Sequence, residues 1–251
     1  MNSLYLNEYT LGFLAQLILT VMLTVYLLSL RNKTTATWWL LLFFAGLTAY
    51  AAVSFYKEAS PGIGSFYAAH LQVVLMVLAM VPMLQLAYRY PRDPRAAGPV
   101  GPSRREAIAV LVISLLAVVV SLSWAITQFA QIRPGGAPTT STTFADNWLA
   151  VACTWTLITF WRRSVAFSRR EAPSDSLTRH LFRPSGRPAR AAFAFLVSSA
   201  AAVAVIALLL ISASLIKEGR TLHSLAPSAG VLIAEFLFAL AYFNYAPENT
   251  S

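Results

Sequence analysis

The fold class this sequence predicts is all-α: an integral membrane bundle of seven transmembrane helices, N-terminus outside and C-terminus cytoplasmic. Three observations predict it. Seven apolar stretches fill most of the 251 residues, each near the ~20 residues that cross a bilayer as a helix. Hydrophobic residues make up 57% of the chain and charged ones 12%, about half the charged share of a soluble domain, and the mean hydropathy is +0.62. The basic residues collect in every second gap between the apolar stretches, which is how cytoplasmic loops are marked.

Taken in order, the spans cover about 11–30, 37–55, 66–88, 107–129, 148–167, 191–216 and 225–245, each long enough for the hydrocarbon layer. They form a single transmembrane domain. The first has no basic region before it and no small-residue cleavage site, so it reads as a retained span and not a signal peptide. The second opens on Trp38 and Trp39, residues suited to the headgroup level. The third contains Pro82, expected to kink it and free a carbonyl. The fifth is the least apolar, with Thr154, Thr156 and Thr159 in its core from Trp148 to Trp161, extended by the amphipathic tail Arg162 to Phe167. Neighbouring helices must support it.

The charge pattern sets orientation. Gaps one, three and five hold fifteen lysines and arginines, and the remaining gaps hold Lys57, Arg133, Lys217 and Arg220. One missed or false span would scramble that alternation. Anionic lipid headgroups attract such juxtamembrane arginines, so the net charge of +9 implies lipid and not nucleic acid. The third gap, PRDPRAAGPVGPSRRE, reads as a loop from its proline and glycine. In the fifth gap Leu177, Leu181 and Phe182 suit one amphipathic turn on the headgroups. The fourth, IRPGGAPTTSTTFADN, is expected outside, where it could cover a site.

Polar groups at membrane depth face the bundle or a cavity, because they are costly against lipid. Glu235 is the sharpest case, about ten residues into span seven, or ~15 Å at 1.5 Å per residue. Ser228, Glu235 and Tyr242 share one helical face at seven-residue spacing. Glu235 either contacts a ligand, proton or cation, or sits protonated in one interhelical hydrogen bond. His70, near the outer end of span three, could sense pH or bind a ligand. The favoured alternative is an interfacial histidine touching water. Softer stripes are Gln16, Thr20 and Thr24; Gln72, Met76 and Met83; Ser114, Ser121 and Gln128; and Trp148 with Trp155. Helix packing explains these as well as a pocket does. The candidate lining is therefore Glu235, Tyr242, His70 and Trp155.

The chemistry excluded is broad. Cys153 is the single cysteine, inside an apolar run, so neither a disulfide nor a cysteine zinc site can form within the chain. Span seven has no lysine for a retinal Schiff base. No histidine pair suits haem, and no nucleophile, phosphate-loop or zinc motif is present. No metal, cofactor or enzymatic activity is expected.

Two segments carry a resemblance: LQLAYRYPR (Leu84 to Arg92), leaving span three, and YFNYAPENTS (Tyr242 to Ser251), leaving span seven. With the span layout, the chain resembles the N-terminal seven-helix sensor regions of bacterial signalling proteins, of the histidine kinase type. The resemblance implies a sensory module of the bacterial inner membrane. Such a module passes a small apolar or amphipathic ligand, or the membrane state, to a cytoplasmic output domain or partner, and a homodimer fits this role. The resemblance supplies no catalytic residues. A small transporter or channel, and a non-catalytic membrane subunit, are the alternatives the residues leave open.

Overall fold

The computed structural model describes residues 8–60, 62–91, 104–130, 143–215, 232–233 and 235–245. These are helical with no strand among them. The elements are α1 (Glu8–Ser29), α2 (Thr35–Ala59), α3 (Ile63–Arg89), α4 (Arg104–Ala130), α5 (Thr143–Glu171), α6 (Leu177–Phe182) and α7 (Arg187–Leu215), followed by α8 at residues 235–245. Most of the long helices overrun the apolar stretches by a few residues at their described ends, α1 excepted, which stops at Ser29, because a helix can continue into the headgroup layer after its apolar run stops. α3 continues as helix through Pro82. The amphipathic turn expected in the fifth gap is α6, with Leu177 and Phe182 exposed. Ser228 and residues 132–142 of the fourth gap lie outside the described residues, while Thr143 to Asn147, expected in that loop, form the first turn of α5.

Five of these helices are long and apolar enough to cross a membrane: α1 to α4 and the 187–205 part of α7. Their outer faces confirm the solvent they are made for. Along α4, Val112, Leu116, Val119 and Ile126 are all more than half exposed, an apolar face of the kind that is rare on a water-soluble surface. This is a helical membrane protein.

The order of packing places α3 at the centre. It packs against α2, α4 and α5, and 67% of its apolar window is buried, against 22% for α4. Close approach of α2 to α3 depends on Gly46, where an added Cβ would lie 3.1 Å from the Ala79 Cβ. α5, the least apolar long helix, is held by α7 and α3. Its Thr156 and Thr159 hydroxyls donate to the Ala152 and Trp155 carbonyls of their own helix (2.8 and 2.7 Å), so they reach the interior without unpaired donors. α8 closes the bundle. Phe238 packs edge-on against Phe43 of α2 and also contacts Phe195 of α7, and Phe243 meets Tyr26 of α1.

Basic residues gather at one end of this bundle. Arg89 lies over the Trp39 ring, 5.1 Å from its centroid. Arg162 forms an ion pair with Glu106 at 2.6 Å. Tyr90, just past α3, donates to the Tyr245 carbonyl at the end of α8 (3.1 Å). Burial pushes the Tyr90 phenol well above the usual tyrosine range, so it stays a neutral donor. The tip of α1–α2 and the ends of α3, α5 and α8 therefore share one end with the beginnings of α4 and α7.

Candidate functional site

The polar interior is built by single residues from four helices. Glu235 of α8 is fully buried, as is Gln16 of α1. Gln16 Nε2 donates to Glu235 Oε1 at 3.1 Å. Gln16 lies eight residues into α1, about 12 Å along its axis, so the pair sits well inside the bundle. Tyr50 of α2 is buried in the same interior. Gln72 of α3 donates its Nε2 to the Tyr50 hydroxyl at 3.2 Å, and Phe13 of α1 meets the Tyr50 ring edge-on.

Two oxygen atoms in this cluster stand without a hydrogen-bond partner among the described residues: Gln16 Oε1 and Glu235 Oε2. An unpartnered buried acceptor costs roughly 1–3 kcal/mol. A proton on Glu235 Oε2, or a donor delivered by a small ligand, would recover much of that. The arrangement can therefore take up a proton between α1 and α8.

The other three candidate residues do not join it. Tyr242, two turns along α8, makes a hydroxyl–hydroxyl hydrogen bond with Thr37 at the start of α2 (3.1 Å) and lies near the Tyr90 ring. Trp155 is partly exposed and donates its Nε1 to the Tyr88 hydroxyl at 2.7 Å. Tyr88 in turn donates to Glu106 at 2.9 Å, which also pairs with Arg162. That chain ties α3, α4 and α5 at the basic end. His70 corrects an expectation: it is not a water-touching interfacial residue but is fully buried. Its ring stacks on Trp124 (4.9 Å) and is flanked by Phe66 and Phe129. Its Nδ1 bonds the Phe66 carbonyl at 2.9 Å, while Nε2 has no partner among the described residues. The aromatic residues of α3 and α4 bury the ring where length along α3 alone suggested water.

Two contributors were only partly legible. Gln16 and Gln72 stood out as members of polar stripes, but nothing local paired Gln16 with Glu235. Tyr50 gave no signal, since a tyrosine within an apolar run resembles packing. Arg163 reads in sequence as one charge of the amphipathic tail of span five, counted with the cytoplasmic arginines, yet it is only 7% exposed. Its guanidinium donates to the Tyr88 carbonyl and, at 2.6 Å, to the Pro91 carbonyl. It closes the carbonyl end of α3, where a cation is favoured by the unpaired groups and the helix dipole.

No group of three or more histidine, cysteine or acidic side chains that could hold a metal occurs among the described residues. We find no family model, no curated protein and no solved structure that matches this chain.

Proposed function

We propose that this chain is the membrane-embedded sensory region of a bacterial signal-transduction protein, similar to the seven-helix sensors of histidine kinases. In this reading α5 and α8 supply the two remaining spans of a seven-span bundle in the inner membrane. The N-terminus is external, and the basic end of the bundle is cytoplasmic. The gathering of the arginines at one end supports that orientation. The module is non-catalytic and passes its signal to a cytoplasmic output domain or partner.

The observation that carries the proposal is the buried Gln16–Glu235 hydrogen bond with its two unpartnered oxygens. It joins α1 to α8, the helix whose end lies with the arginines. A ligand or proton that binds one packing of that pair more tightly than another shifts the position of α8, and only such differential affinity can transmit a signal. The test fuses the chain to a reporter kinase. Glu235→Gln should abolish the response to a stabilising ligand found by thermal-shift screening, while the protein stays folded. An unchanged response removes the pair from the signalling path.

A second reading, proton-coupled transport, rests on the same unpartnered Glu235 oxygen and on the habit of transporters of placing carboxyl groups at depth. Proteoliposome flux that disappears in Glu235→Gln would favour it over sensing.

A further inference from the structure

We infer that the cleft between α6 and the first turns of α7 binds a phosphate-bearing anion, a phospholipid headgroup or a soluble phosphate. The cleft is an open groove of about 840 Å³, lined by Arg179, Arg183 and Arg190, with Phe182, Phe193 and Tyr245 among its other walls. That volume is within the range of small-molecule sites. Arg179 is paired with Asp175 at 3.1 Å. Arg183 and Arg190 have no acidic partner among the described residues. The cleft therefore carries two uncompensated guanidinium groups beside apolar rings. Guanidinium forks match phosphate oxygens in geometry as well as charge, and the rings suit the uncharged part of the same molecule.

The scaffold under these arginines is rigidly specified. A six-residue helix such as α6 does not hold itself in water. Here Ser168 of α5, fully buried, bonds His180 Nδ1 at 2.9 Å and accepts from the Ser185 backbone N–H at 2.9 Å. The Ser185 hydroxyl donates to Asp175 at 3.1 Å. Gly186 turns the chain at φ +88°, and a Cβ there would lie 2.6 Å from Glu171 Cγ. These contacts pin the α6 hairpin onto α5 and so fix Arg179 and Arg183 across from Arg190. An ordinary solvated charge run has no need of such pinning. Tyr245, at the end of α8, forms part of the wall, so an occupant would touch the last helix. The inference stands independently of the Glu235 pair.

The experiment uses the full chain in zwitterionic nanodiscs. Pyrophosphate is titrated in solution in one arm, and phosphatidylglycerol is doped into the bilayer in the other, with thermal stabilisation as the readout. A saturable response is expected in at least one arm, and the arm that responds identifies the source of the phosphate. Arg183→Gln with Arg190→Gln should weaken it roughly 30-fold, at about fivefold per cation. Arg169→Gln with Arg170→Gln removes two exposed arginines outside the cleft and should leave the response close to wild type. Should the first double variant not fold, each single substitution is expected to show its own ~fivefold loss. Absence of a saturable response in both arms overturns the site. So does an equal loss in the two double variants, which would mean diffuse attraction to basic residues.

Discussion

Glu235→Leu is the most informative perturbation of the bundle interior. The substitution removes the acceptor of the 3.1 Å bond from Gln16. Gln16 already holds an unpartnered Oε1, so its whole amide is then left without an interhelical partner. Stranding a buried polar group costs ~1–3 kcal/mol, while interhelical hydrogen bonds in membranes contribute about 0.6 kcal/mol on average and about 1.7 at most. The expected loss is therefore ~1–2 kcal/mol, a fall in melting temperature of roughly 2–8 °C for a chain of this size. Glu235→Gln should behave differently. It keeps the shape and the acceptor of the Gln16 bond, so stability should hold. Gln16→Leu with Glu235→Leu removes both partners and should lose less than the sum of the single changes. The assay is thermal unfolding in detergent, read as a double-mutant cycle. A coupling indistinguishable from zero would refute the claim that these two residues hold α1 to α8.

Other consequences can be measured in the same format. Arg163→Leu leaves the Tyr88 and Pro91 carbonyls without their charged donor and should destabilise by about 1.5–3 kcal/mol, with Arg163→Lys recovering part of it. Gly46→Ala drives a methyl to 3.1 Å from Ala79 Cβ and should cost ~1–3 kcal/mol. Ala79→Gly in the same chain should restore the loss, and failure to do so would deny the α2–α3 contact. Leu116→Arg, at the middle of the exposed α4 face and 58% exposed, should reduce membrane insertion by roughly 2.5–3.5 kcal/mol. Normal insertion of that variant would mean α4 does not face lipid.

The helices were nearly all legible because hydropathy and length are local sums. An apolar run of the right length forms a helix in lipid whatever its neighbours are, since its backbone groups have no other partners there. Pairings were not legible, because they depend on how each helix is rotated and on which others surround it. Glu235 announced itself by being a carboxylic acid in an apolar run, but its partner lies 219 positions away. His70 was misplaced for the same reason: distance along α3 said interface, and only the rings of Trp124 and Phe129 bury it.

By itself the sequence determined that this is a helical membrane protein, which stretches are apolar, and where the arginines fall along it. The tertiary structure alone decided that α3 is central, that Arg163 is a buried helix closure, and that the four candidate residues lie in four different surroundings. It also brought Arg179, Arg183 and Arg190 around one cleft. Composition sets the solvent a segment requires, but convergence of side chains is a property of packing, which no single segment contains.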